Sequence, residues 1–177
     1  FNWIDFYYSI ALGCQNYIGT DLVPGKDVVQ CNLEKGLPQF ETNSYDVVVA
    51  LDVLEHLENC HALLEDMMRV ARKTVYISLP NMYYLSFRLR FLFKGHLSGK
   101  YAFPVEKILD RHRWVLSFSE AVEFIDHNTR GKTVHHHMIV PKRGRSKFIM
   151  QHLEPRMANL FPNLLVYGSI HEIFLEE

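Results

Sequence analysis

Hydrophobic and polar positions repeat with two periods along the chain, and the switches between them predict its elements. "YDVVVALD" (45–52) is a continuous apolar run ending in Asp52, the pattern of a parallel strand covered on both faces. Behind Asn59, a residue suited to an N-cap, Cys60, Leu63, Leu64, Met67 and Ala71 fall at helical spacing. Arg72 and Lys73 follow, where a helix dipole favours cations. "TVYISLP" (74–80) is the next strand, stopped by Pro80. Upstream, a short run through Tyr17 and Ile18 stops at Asp21, and "DVVQCN" (27–32) reads as a further short strand. Downstream, Ser117 and Glu120 stand at capping-box spacing over the stripe Phe118, Ala121, Val122 and Ile125. "TVHHHMIVP" (133–141) is a strand and "KRGRSK" (142–147) a basic loop. A helix is expected within 149–160, and "LLVYGSIHEIFLEE" closes the chain as a strand or hairpin. Strands alternating with helices predict an α/β fold with a mostly parallel sheet and helices on both faces. The last strand is expected to be antiparallel, and the aromatic and basic stretch 81–115 is read as a helical insertion after the fifth strand.

Composition narrows the function without choosing it. The chain has 177 residues, 48% hydrophobic and 13% aromatic, enough for one folded domain over 1–177. The formal charge of −1 gives no global field that would attract nucleic acid. It is unevenly spread: residues 1–66 hold 11 acids and 2 bases, whereas residues 67–177 hold 9 acids and 17 bases. Two solvated faces account for this, and an anionic partner for the second half is the sharper reading. Cys14, Cys31 and Cys60 form no CxxC pair, so a reducing compartment, the cytoplasm, fits best. No apolar run approaches the ~18 residues of a membrane span.

The candidate chemistry sits at strand ends. In parallel sheets ligands bind beyond the carboxyl ends of the strands, and Asp21, Asn32 and Asp52 fall there. A carboxylate at such a tip accepts hydrogen bonds from both hydroxyls of a ribose. A turn cap before Pro24-Gly25 is the competing reading of Asp21. The triplet His135, His136 and His137 alternates across its strand, and with no acid or cysteine near in sequence it is expected to be a half-exposed strand rather than a metal site.

"YIGTD", then "CNLEKGLPQFETNSYDVVVALDVLEHLEN", then "MMRVARKTVYISLPN" resemble the class I S-adenosylmethionine-dependent methyltransferases, in particular the methyltransferase type 11 and MetW-like set. The resemblance runs from about Tyr17 to Ile125 and implies a Rossmann-like sheet with S-adenosylmethionine as cofactor. It implies that Asp21 holds the ribose and that Asn32 and Leu33 frame the adenine. Leu51, Asp52 and Val53 would line the methionine end. Glu55 and His56 of "VLEH" would face the departing methyl group, His56 as general base or as a positioning residue. MetW-like chains carry a segment like 81–115, and a lid there would bring Asn81, Tyr84 and Arg88 to the acceptor, with arginine pairing to an anionic group. A membrane-surface helix over 83–94 is a second reading of that segment. The favoured reading is a core-packed helix whose arginines reach back to solvent.

The departure lies at the start. The family has a glycine-rich loop after its first strand, and only "ALGC", with Gly13, resembles a remnant. A strand, loop, helix and return strand need roughly 30 residues, more than 1–21 provide. A missing N-terminal segment, a shortened loop and a degenerate domain are the three accounts, and an unpaired edge there would favour a homodimer. Two functions follow. One is methyl transfer to a small-molecule, glycan or lipid-linked acceptor. The other is a methyltransferase-like binding or regulatory module without turnover.

Overall fold

The computed structural model describes residues 16–97, 99–103, 106, 111–141 and 156–176. Gly13 with its neighbours 11–14, the basic loop 142–147 and the first part of the helix expected within 149–160 lie outside the described residues. The strands are β1 (Gly19–Asp21), β2 (Val28–Gln30), β3 (Tyr45–Leu51), β4 (Ala71–Pro80), β5 (Thr133–Ile139) and β6 (Gly168–Phe174). The helices are α1 (Cys60–Val70), α2 (Leu85–Lys94), α3 (Phe118–Asn128) and the single turn α4 (Pro162–Leu165). β1 and β2 pair in parallel as a two-stranded sheet, and the four-stranded sheet runs β3-β4-β6-β5. β3 and β4 are parallel, while β6 is antiparallel to both its neighbours, as expected of the last strand.

The core explains the order. Val75, Ile77 and Leu79 of β4, Ala50 of β3 and Ile173 of β6 form one apolar face. Leu63, Leu64, Met67 and Val70 of α1 and Ala121 and Ile125 of α3 pack on it. Each fully buried Val, Leu, Ile or Met side chain among them contributes about 1.5–3 kcal/mol. The opposite face is open among the described residues: Val47 and Val49 are 41% and 50% exposed. Among the described residues α1 and α3 share one face. The valine run of β3 reflects the fit of β-branched residues to a pleated strand, not burial on both sides.

Two local expectations are also corrected. Arg72 and Lys73 lie in β4 rather than at the end of α1, because the ladder to β3 begins at Ala71, opposite Tyr45. Both reach Asp46 across that ladder, at 3.3 and 3.6 Å. The core-packed helix is not found: α2 buries no residue and exposes Leu89, Phe91, Leu92 and Phe93. Arg90 and Lys94 share one side of the helix, and the apolar side chains on the rest of it lie against no core element.

The capping box of α3 forms as the spacing predicts. Ser117 Oγ accepts the Glu120 N–H at 3.3 Å, and Glu120 Oε2 accepts the Ser117 N–H at 2.7 Å. Ser117→Ala should lower stability by about 1 kcal/mol, read as a fall in the urea midpoint at unchanged m-value.

Candidate functional site at the carboxyl ends of the parallel strands

β3 ends at Leu51, and the chain then turns through Asp52 with φ at 53°. This left-handed conformation is uncommon for a non-glycine residue and is held by a neighbour. Leu51 pairs with Ser78 of β4, and the Ser78 hydroxyl accepts the Asp52 N–H at 2.8 Å while donating to Asp52 Oδ1 at 2.7 Å. One hydroxyl thus fixes both the backbone and the carboxylate of Asp52. Val53 follows, then a single 3-10 turn over Leu54–His56 that buries Leu54 and Glu55.

The tips of β1 and β2 are tied together and to this turn. Asp21 Oδ1 accepts the Val23 N–H at 3.0 Å, which holds its carboxyl below the usual range. The turn-cap reading is therefore realised. The Asp21 carbonyl accepts the Cys31 N–H at 2.7 Å, drawing Asn32 alongside. Asn32 caps the 3-10 turn Leu33–Lys35 through the Glu34 N–H, at 3.1 Å. The Glu34 carboxylate then takes the N–H groups of Glu58 and Asn59, at 3.1 and 3.2 Å, at the start of α1. Arg113 completes the tie, 3.5 Å from Glu34 and 2.7 Å from Glu58.

Tyr101 and the stretch 111–114 lie against the 3-10 turn that carries Glu55 and His56. The Glu55 carbonyl accepts the N–H of Arg113 at 2.9 Å, and Trp114 Nε1 donates to the Leu57 carbonyl at 2.7 Å. His56 Nδ1 is 3.0 Å from the Arg111 carbonyl. A carbonyl only accepts, so this contact places a proton on Nδ1 and makes Nε2 the basic nitrogen of the neutral ring. His112 Nδ1 lies 3.9 Å from Glu55 Oε1, and the His112 ring packs on His56 and Tyr101, each at 4.3 Å. Burial, and then the negative charges of Glu55 and Asp52, push the Tyr101 hydroxyl above its ordinary pKa. Donor atoms of Glu55, His56 and His112 all lie within 4.8 Å of one another, a spacing that a divalent cation can bridge.

The acceptor-facing residues expected from sequence divide. Asn81 is 1% exposed and its amide is committed: Nδ2 donates to the carbonyls of Asn163 and Val166, and Oδ1 accepts the Tyr83 N–H. It ties the end of β4 to α4. Tyr84 is buried against Phe87 and Tyr167. Arg88 folds back over the Tyr83 ring, 5.5 Å from its centroid, and donates to the Tyr83 carbonyl. Sequence reasoning missed Ser78, Glu34, Tyr101, His112 and Arg113. Each acts across more than 20 residues of chain, where no local pattern marks it. A depression lined by Asn43, Glu65, Arg69 and Arg72 lies at the opposite, amino ends of β3 and β4 and holds none of the expected residues.

A parallel β3–β4 pair, an antiparallel last strand and polar residues at strand tips are in keeping with the fold of the S-adenosylmethionine-dependent methyltransferases. Solved structures agree. A methyltransferase of this type from Archaeoglobus fulgidus superposes with a TM-score of 0.56 at 16% identity, covering 96% of this chain and 80% of that one. One from Listeria monocytogenes gives 0.56 at 12% identity, over 98% and 85%. The model of the family described as methionine biosynthesis protein MetW matches residues 14–168, and the chain belongs to that family. The bifunctional methionine biosynthesis protein MetXA/MetW of Rhodopirellula baltica is 37% identical over 87 residues. That stretch is 49% of this chain and 14% of the relative, so the chain spans a small part of the relative's length. Among the described residues no helix is long and apolar enough to cross a membrane.

Proposed function

We infer that the chain binds S-adenosylmethionine over the tips of β1, β2 and β3 and passes its methyl group to a small-molecule acceptor. The observation that carries this reading is Asp52, held left-handed by Ser78 beside Glu55 and an oriented His56. Strain maintained by a dedicated partner at a strand tip is a mark of a functional position. In this reading Asp21 takes the ribose hydroxyls, Asn32 and Leu33 the adenine, and Leu51, Asp52 and Val53 the methionine end. Methyl transfer from a sulfonium is a displacement whose rate depends chiefly on aligning the acceptor with the methyl group. Tyr101 and residues 111–114 stand beside that end, and His56 Nε2 takes a proton from an acceptor that needs to lose one. The family description supports an acceptor tied to methionine biosynthesis.

Calorimetric titration with S-adenosylmethionine and S-adenosylhomocysteine tests the reading. Saturable one-to-one binding is expected, weakened about tenfold or more in Asp52→Ala and Asp21→Ala, the loss that accompanies removal of a charge-assisted hydrogen bond. Absence of any heat with either compound would remove the cofactor from the account.

A second reading, a binding or regulatory module, is favoured by α2. Phe93 and Leu92 are 80% and 72% exposed, and the Rhodopirellula relative bears the names MetXA and MetW on one polypeptide. In that reading α2 docks on a separate protein of methionine biosynthesis. Leu92→Ser with Phe93→Ser would then abolish co-purification with a MetXA-type protein and leave cofactor titration unchanged.

A further inference from the structure

The outer face of the four-stranded sheet carries a cluster that the methyl-transfer reading does not use. β5 and β6 are antiparallel, and His135 stands directly opposite Glu172, with His137 opposite Ile170. His135 and His137 are two residues apart on one strand, so their side chains leave the same face. Their rings are 6.4 Å apart, and both point a nitrogen at one carboxylate oxygen. His137 Nε2 is 3.3 Å from Glu172 Oε2, and His135 Nδ1 is 3.8 Å from the same atom. The histidine side chains are 57% and 58% exposed, while that of Glu172 is 16% exposed.

We propose that His135, His137 and Glu172 form a surface site for a divalent transition-metal ion of the zinc type. Three features carry this. First, the ligand set is two imidazoles and one carboxylate, which suits zinc, nickel and copper and not the oxygen-seeking calcium or magnesium. Second, the spacing fits: zinc bonds of about 2.0–2.1 Å in a tetrahedron separate neighbouring donors by about 3.3 Å. The separations of 3.3 and 3.8 Å need only small rotamer adjustments to meet that value. Third, the carboxylate is oriented from behind. Tyr76, next to Glu172 in the β4–β6 ladder, donates its hydroxyl to Oε1, which leaves Oε2 turned to the histidines. Such an outer hydrogen bond fixes a ligand before the metal arrives. The ligands stand on adjacent, fully laddered strands, so binding orders little backbone. The fourth position faces solvent and takes water.

The test is a titration of the EDTA-treated full chain with zinc chloride, run on wild type and on His56→Ala, which disables the separate Glu55, His56 and His112 cluster. One zinc per chain is expected to remain in His56→Ala. Each of His135→Ala and His137→Ala should weaken it about tenfold or more, and the double variant should lose it. Ring resonances of His135 and His137 in wild type should shift in proportion to zinc added, a readout that needs no variant. Zinc binding that vanishes in His56→Ala, that persists undiminished in the double variant, or that leaves those resonances unmoved would overturn the site.

Discussion

Gly36→Ala is expected to lower the stability of the protein by about 3 kcal/mol, the combined effect of a strained left-handed residue and an overpacked neighbour. Gly36 has φ at 74°, and a Cβ built there would strike Asp66 Oδ2. Asp66 has little room to move. Its Oδ2 accepts the Leu37 N–H at 2.6 Å, and its Oδ1 accepts Arg69 Nε at 2.8 Å. Arg69 in turn donates to the carbonyls of Phe40 and Leu37, at 2.8 and 2.9 Å. The pair therefore pins the loop after Asn32 and Leu33 onto α1. Displacing Asp66 would release that loop and, with it, the residues assigned to the adenine. Urea denaturation reads the loss, and a double-mutant cycle assigns it: in an Asp66→Ala background the same glycine replacement should cost about 1 kcal/mol. An equal cost in both backgrounds would mean that backbone strain alone is responsible.

The second large effect is loss of stability in mild acid, between pH 6.5 and about 4. His136 and His171 pair directly across β5 and β6, on the face opposite the proposed metal site. His171 is wholly buried; its Nε2 is 2.8 Å from Ser169 Oγ and its Nδ1 is 2.7 Å from His136 Nδ1. His136 Nε2 reaches Asp126 of α3 at 3.1 Å. Every donor finds an acceptor when both rings are neutral: serine to His171, His171 to His136, His136 to Asp126. Burial, and then the neighbouring His136 and His137, depress the folded pKa of His171 from 6.5 to about 3. Below pH 6.5 the unfolded chain takes up a proton that the folded one refuses, so stability falls as pH falls through this window. At pH 4.5 the difference amounts to roughly 2–3 kcal/mol. Asp66 adds to the decline at lower pH. Burial works against its ionised form, but the Leu37 N–H and Arg69 outweigh it and set its folded pKa below the ordinary value. Urea midpoints at pH 7 and pH 4.5 measure the effect, and His171→Asn should flatten the profile between them. An unchanged wild-type midpoint would show that the histidine pair takes up protons without opening.

Several features were legible in the residues themselves. The strand ending before Asp52, the stripe Cys60, Leu63, Leu64 and Met67 of α1, the capping box of Ser117 and Glu120 and the antiparallel last strand form where the pattern places them, whereas β1 starts only at Gly19, beyond Tyr17 and Ile18, and Ala71 belongs to β4. These depend on periodicity and on contacts within a few positions of chain, which a sequence displays directly. The family resemblance, carried by "VLEH" and its flanks, was legible for the same reason. The site was less so. Ser78 meets Asp52, His112 meets Glu55, and Glu172 meets His135 and His137 only once the strands and residues 111–114 are in place. A one-residue slip in the β5–β6 ladder would turn Glu172 to the helix side and bring His171 opposite one of the histidines in its place. The exposure of α2 and the open face of β3 were decided in the same way, by which elements come to lie against them. Local chemistry chose the elements and their polar tips. Register and packing, set by burial of the α1 and α3 faces against one side of the sheet, chose which of those polar groups would meet.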